Sequence, residues 1–348
     1  MASNTSGDIQ LGFILYVSRS GSTMLANKIA RRLENVTVYP ELDFINQLFA
    51  YGDAHFTAMT AERLEQLIAA DPTFKDLALT PDDLKSVTRF SPGQTLIEFI
   101  RRLTDCYAKS QGRERADCAV FQRGTTLTVV PEIIGACRNA RFIHIMRDPR
   151  AAISSVIRLK RIDMGAFNVR DMGRRDARGL ALNWKRYVSR VRHYEARYPD
   201  NILEVMYEEV CADLDGALHK IGQLLGARLR EGDAAKLEID TKQSQLHKHI
   251  DSAPLAERTT AWRTELAGHH GVIVESAAGQ EMQERGYDPW FTERHSDTQR
   301  LVYGVVGRAQ YVIASILPFL KRVRHAIRTP GATFRILRRR FAKTHPGH

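Results

Sequence analysis

The sequence predicts an α/β fold: a central parallel sheet between layers of helices, with helical insertions and a C-terminal amphipathic helical tail. Three observations carry that reading. Short apolar runs alternate with helix-forming segments between residues 13 and 206, two of those runs stop at polar loops that open straight into helices, and from residue 296 the pattern becomes basic and amphipathic. Two regions follow: residues 1–295, with a helical insertion at about 50–115, and the tail at 296–348.

The elements run in this order. Phe13–Val17 is an apolar strand, and a helix follows at about Ser22–Leu33. A short extended segment, Val36–Tyr39, leads to a helical stretch from Glu41. Residues 56–115 read as mainly helical, broken at Asp71-Pro72, Thr80-Pro81 and Ser91-Pro92-Gly93, where proline and glycine stop a helix. Strand Cys118–Phe121, helix Leu127–Cys137, strand Arg141–Met146 and helix Arg150–Arg161 then alternate, which favours parallel pairing. A long helix, Gly173–Arg197, ends at Tyr198-Pro199, and Ile202–Met206 is a further strand. Gln243–Pro254 has no clear period and reads as a loop. In the tail, Val312, Ile313, Ile316, Leu317, Leu320, Val323 and Ile327 recur at helical spacing, and Phe334, Leu337 and Phe341 form a second stripe; Pro318 is expected to kink the first piece.

Two strand ends carry the chemistry. After Val17 comes Ser18-Arg19-Ser20-Gly21-Ser22-Thr23, a tight turn at a helix start. There, amides without helical acceptors, the helix dipole, hydroxyls and an arginine would face one small volume, and an anion belongs in it. The loop is P-loop-like in position only. It lacks the Gly-Lys-Ser/Thr ending of a Walker loop and the glycines of a dinucleotide fingerprint. At the second strand end, Arg147 precedes Pro149, which opens a helix bearing Ser155 about two turns along.

Together these elements resemble the sulfotransferase family that uses 3'-phosphoadenosine 5'-phosphosulfate (PAPS), its tyrosylprotein, Golgi-type and bacterial members above all. Asn183-Trp-Lys-Arg-Tyr, Leu203-Glu-Val-Met-Tyr-Glu-Glu-Val, Gly222-Gln-Leu-Leu-Gly, Ala261-Trp-Arg-Thr-Glu-Leu and Arg285-Gly-Tyr-Asp-Pro extend the likeness in order. The resemblance implies a three-layer α/β/α fold and transfer of a sulfuryl group to a hydroxyl of a glycan, glycolipid, tyrosine or metabolite. It implies that Arg19, Ser20, Gly21, Ser22 and Thr23 hold the 5'-phosphosulfate, and Arg147 and Ser155 the 3'-phosphate. Tyr207 either lines the nucleotide pocket or is a core tyrosine, and Ser244 and Lys248 fall where relatives touch the nucleotide phosphates. Glu41 matches a catalytic glutamate, or else caps the next helix; Asp43 and His55 are runners-up. Relatives carry a lysine after the third strand, where this chain has Gln122-Arg123-Gly124. Arg123 would act there as a fixed charge rather than an acid, unless it is structural. Arg158 or Lys160 replaces a basic residue one turn beyond the serine, or is solvated. Trp184 and Trp262 read as packing anchors, and Arg150 is left outside the site as a solvent-facing or helix-capping residue. No metal is expected.

The net charge is +11, yet residues 1–297 are formally neutral: no acidic residue follows Asp297, while eleven lysines and arginines do. The tail therefore either docks on an anionic membrane surface or packs its apolar face on the domain. Nucleic acid is not expected, given the neutral remainder and the lack of interleaved aromatics. Four cysteines without CxxC spacing read as reduced thiols. With no basic or apolar leader in residues 1–10, the expectation is a cytoplasmic enzyme, either free or peripheral on the inner membrane face. Two other classes stay open: a P-loop nucleotide kinase or NTPase, and a non-catalytic membrane-associated protein on the same fold.

Overall fold

A computed structural model of the 348-residue chain describes residues 9–89, 93–158, 176–230 and 256–328, with the side chains of the last helix described to 316. The chain forms two compact units, one of Met1–Ser155 with Arg186–Glu265 and one of Val156–Lys185 with Leu266–His348.

The first unit is built on five parallel strands: β1 (Gln10–Tyr16), β2 (Val36–Val38), β3 (Cys118–Gln122), β4 (Arg141–Met146) and β5 (Ile202–Met206), in the order β2-β3-β1-β4-β5. Side chains alternate across a strand, so β1 sends Phe13 and Leu15 to one face and Ile14 and Tyr16 to the other. On the first face, the Phe13 ring packs 5.4–5.7 Å from those of Phe49, Phe121 and Phe142. Helices α2 (Asp43–Tyr51) and α6 (Leu96–Ser110) cover it, with Val191 and Tyr194 of α9 (Ala177–Arg197). On the second face, Leu25 and Ile29 of α1 (Ser22–Arg32) meet Leu218, Ile221 and Leu225 of α11 (Leu214–Leu225). The result is the three-layer α/β/α arrangement expected, with a parallel sheet buried on both sides. Gly12 lies where β1 and α11 approach closely: a Cβ there would stand 2.9 Å from Leu225 Cδ2.

Between β2 and β3 the chain is helical, in α2, α3 (Asp53–Thr57), α4 (Ala61–Ala69), α5 (Pro81–Thr88) and α6. Thr80 and Thr95 start α5 and α6 with capping boxes to Asp83 and Glu98, and Pro81 takes the first helical position. One sequence expectation changes shape here: Leu127–Cys137 is a 3₁₀ turn, Gly124–Thr128, followed by α7 (Val130–Ala136), because Pro131 resets the helix start. The remaining elements of this unit are α8 (Pro149–Arg158, which passes into the second unit), α10 (Tyr207–Ala212), α12 (Glu257–Thr260) and α13 (Trp262–Glu265).

The second unit centres on α14 (Gly268–Gln283) and α15 (Asp297–Arg328). Glu275 is buried and accepts amide bonds from Trp290, Phe291 and Thr292, and Lys185 pairs with Glu281 at 2.9 Å. The Phe291 ring occupies the space a Cβ on Gly271 would need. The tail begins at Asp297 with a helix that continues through Pro318 to Arg328. The Phe334–Phe341 stripe lies outside the described residues.

Candidate active site at the carboxyl ends of the strands

In an open parallel sheet, ligands bind beyond the carboxyl ends of the strands, where the strand order reverses. Here β1 sits between β3 and β4, and all five strand ends deliver a polar residue to that edge: Arg19 after β1, Glu41 after β2, Arg123 after β3, Arg147 after β4 and Tyr207 after β5.

Three of these ends form a donor cluster. The turn after β1 closes through the Ser20 amide to the Val17 carbonyl (3.1 Å), with Arg19 and Gly21 at φ 72° and 90°. That left-handed path costs a non-glycine residue about 1–2 kcal/mol, and strain of this kind collects at ligand sites. The first helical bond of α1 runs from Leu25 to Gly21, so the amides of Ser22, Thr23 and Met24 have no acceptor within the helix. No acidic residue lies in the first turn of α1 or of α8. Arg19 Nε donates to Ser155 Oγ at 3.0 Å. Arg147 is buried and donates to the carbonyls of Arg19 (3.1 Å) and Arg258 (2.8 Å), with its guanidinium 4.1 Å from the Tyr207 ring centre. The structure thus brings Arg19, Arg147, Ser155 and Tyr207 together, and Arg19 reaches across to the serine of the second element. Burial pushes the Tyr207 phenol up to about 12, against the opposing charge of Arg147. Every group here is a hydrogen-bond donor or a cation, a set that fits phosphate or sulfate oxygens.

Gly21 is the joint of this cluster. A Cβ there would stand 2.5 and 2.7 Å from two ring carbons of Tyr207, which Arg147 holds in place. Gly21→Ala is expected to lower the melting temperature and to weaken anion binding together, because the ring and Arg147 must both move. A calorimetric scan with and without adenosine 3',5'-bisphosphate checks this.

The other two ends form a carboxylate cluster. Glu41 accepts from the Tyr16 hydroxyl (2.7 Å) and from Arg123 (3.0 Å), and Arg123 grips Asp43 with two bonds of 2.6 Å. Burial, then the charge of Glu41 and the bond to it, hold the Tyr16 phenol well above its ordinary range, so this hydroxyl stays a donor. Burial works against the charge of Arg123, but Asp43 and Glu41 outweigh it and raise its pKa, which keeps it a fixed cation. Tyr16 in turn donates its amide to the Tyr187 hydroxyl (2.8 Å).

Sequence reasoning missed what positions this cluster. Buried Asp71 accepts from the Asp43 and Phe44 amides, capping α2, and the Thr73 hydroxyl donates to the Glu41 carbonyl at 2.7 Å. Asp71 precedes a proline, and in sequence it reads only as a helix break. Asp71→Ala is expected to cost about 1–2 kcal/mol, as for a lost N-cap, and to reduce turnover while nucleotide binding holds. Urea unfolding and a comparison of kcat with nucleotide affinity test this.

Other expected residues fall as follows. His55 is exposed on α3, its ring 4.9 Å from that of Tyr51, and Arg158 is an exposed residue in the last turn of α8. Ser244, Lys248 and Lys160 lie outside the described residues. Arg150 departs from expectation: it does not face solvent but is buried, bonded to Asp148 at 2.9 Å and stacked 3.9 Å over Trp262, whose bulk then serves as more than filler. The aspartate next to it supplies the reason, since a buried guanidinium needs a paired charge. Among the described residues, one group of possible metal ligands, His144, Glu195 and Glu204, converges within 4.8 Å, with His144 Nδ1 3.0 Å from Glu204. Their separation along the chain hid this from sequence spacing.

A sequence model of the sulfotransferase family matches residues 13–231. Among solved structures, the chain is similar to a sulfotransferase domain from the curacin biosynthetic pathway, at 16% identity and TM-score 0.55 over 80% of this chain and 98% of that one. It is also similar to a sulfotransferase domain from the Synechococcus PCC 7002 olefin synthase, at 17% identity and TM-score 0.47 over 83% and 99%. A third is mouse sulfotransferase SULT7A1 complexed with PAP, at 14% identity and TM-score 0.36 over 84% and 87%. No curated protein matches. At such identities the first likeness speaks to fold.

Proposed function

Because this chain belongs to the sulfotransferase family, we propose that it moves a sulfuryl group from PAPS to an acceptor hydroxyl by in-line displacement, with Glu41 as general base. When bound, PAPS supplies an activated sulfuryl group and leaves as adenosine 3',5'-bisphosphate. The observation that carries this reading is the division of one sheet edge into a cluster of arginines and hydroxyls and a carboxylate cluster. In-line transfer asks for charge stabilisation at one end and proton removal at the other.

Under this reading the α1 amides and the Ser20, Ser22 and Thr23 hydroxyls hold the 5' end with Arg19, while Arg147 and Ser155 hold the 3'-phosphate. Tyr207 supports the nucleotide side through its contact with Arg147. Glu41 takes the acceptor's proton, oriented by Tyr16 and by Arg123, whose charge offsets that of the carboxylates. Ser244 and Lys248 are assigned to the nucleotide phosphates by position alone. The reading uses no metal. The cytoplasm is the setting proposed for it.

The test is incubation of the purified protein with isotopically labelled PAPS and candidate acceptors, read by mass spectrometry. Addition of one sulfonate to an acceptor supports the reading. Stabilisation by magnesium–ATP with none by adenosine 3',5'-bisphosphate would contradict it and favour a nucleotide kinase. Bisphosphate binding without any transfer would leave a binding protein on this fold.

A further inference from the structure

Helix α15 has two apolar faces, and only one is used within its own unit. Tyr303 and Gly307 face α14: the Tyr303 ring lies 6.0 Å from that of His269, and a Cβ on Gly307 would stand 3.0 Å from Ile273. At about 100° per residue, the opposite side carries Leu301, Val305, Val312 and Ile316 in one row, with Val302 and Ile313 beside it, spanning roughly 120° of the helix. All six are exposed, Leu301 at 70% and Ile313 at 57%. Apart from Tyr51, every large hydrophobic residue exposed among the described residues belongs to this helix. Between Leu301 and Ile316 the single charged residue is Arg308. An uninterrupted apolar strip of this size on a surface marks an interaction site.

We infer that this face of α15 lies in the plane of an anionic lipid bilayer, anchoring the enzyme at a membrane surface. Charge selects this occupant. Eleven lysines and arginines and no carboxylate follow Asp297, nine of the eleven beyond Leu320. A cluster of cations without a carboxylate calls for an anionic partner, which a second copy of this basic helix does not offer and anionic headgroups do. The sequence continues the apolar row with Leu320, Val323 and Ile327. An apolar arc flanked by basic residues is the pattern of a helix that lies in the interface. No described helix is long and apolar enough to cross a membrane, so binding is to one leaflet. The inference stands apart from the identity of the base or the nucleotide.

The full-length protein is sedimented with vesicles of phosphatidylcholine alone, and of phosphatidylcholine with phosphatidylserine. It is expected to bind the phosphatidylserine vesicles and to be released as salt rises. The double variant Val305→Asp/Ile313→Asp is expected to bind about tenfold less or weaker still, since it puts charge into the buried face. Reversing charge at Arg338, Arg339 and Arg340 to glutamate should do the same through the headgroup term. A cooperative melting transition and a far-ultraviolet circular dichroism spectrum like those of the wild type serve as the folding control, because Val305 and Ile313 lie on an exposed face. Absence of binding to phosphatidylserine vesicles overturns the inference, as does binding indifferent to Val305→Asp/Ile313→Asp. A dimer seen by light scattering without vesicles, and dissolved by those substitutions, also overturns it by making a second copy the occupant.

Discussion

Replacing Arg147 with alanine is expected to abolish the stabilisation that adenosine 3',5'-bisphosphate gives the wild-type protein. A ligand at a hundred times its dissociation constant stabilises the folded state by about 2.7 kcal/mol. Hydrogen bonds to a charged group contribute about 1.5–3 kcal/mol each, so losing a two-armed contact would weaken binding by roughly two to four orders of magnitude at about 1.4 kcal/mol per tenfold change. The same side chain also ties the carbonyls of Arg19 and Arg258 together. The unliganded variant should therefore melt lower, and the diagnostic quantity is the shift on adding nucleotide, not the melting temperature itself. Arg147→Lys separates charge from shape. It keeps a cation but loses the planar fork that spans two carbonyls and stacks on Tyr207, so a partial response is expected. A full response from both variants would remove Arg147 from the site.

Glu41→Gln is expected to lower kcat by about 10²–10⁴, the range of a general base, while leaving nucleotide affinity close to wild type. The amide is nearly isosteric and still accepts from Tyr16 through its oxygen, but it presents NH₂ to Arg123 where the carboxylate accepts a charged bond. Some stability is therefore lost at Arg123, although Asp43 retains its two bonds to that guanidinium. Glu41→Gln with unchanged kcat would pass the base to another group, and Asp43, gripped by the same arginine, is the first to examine. Steady-state rates beside a nucleotide titration resolve the two outcomes, since a structural role would reduce both together.

Much of this was legible in the sequence because local signals agreed with one another. Apolar runs bounded by polar residues mark β4 and β5 at the residues where they occur, Arg141–Met146 and Ile202–Met206. The Ser18–Thr23 turn shows itself by pattern: an apolar run stops at a polar turn and a helix opens at Ser22, with no carboxylate in its first turn. Contacts between distant segments were not legible. Nothing in Asp71-Pro72 signals that the aspartate caps α2, since its partners lie 27 and 28 residues earlier. Tyr16 reads as an ordinary strand residue, and its bond to Glu41 depends on a strand order that brings the ends of β1 and β2 to one edge with β3 between them. Arg150 reads in sequence as a solvent-facing or helix-capping residue because its burial against Asp148 and under Trp262 depends on tertiary packing.

The most direct measurement is a crystal structure of the full-length protein with adenosine 3',5'-bisphosphate bound. The account predicts the 5'-phosphate on the amides that open α1, between Ser20 and Thr23, and the 3'-phosphate within hydrogen-bond reach of Arg147 and Ser155. A nucleotide seated away from the carboxyl edge of β1 and β4, or one that touches neither arginine, would contradict it.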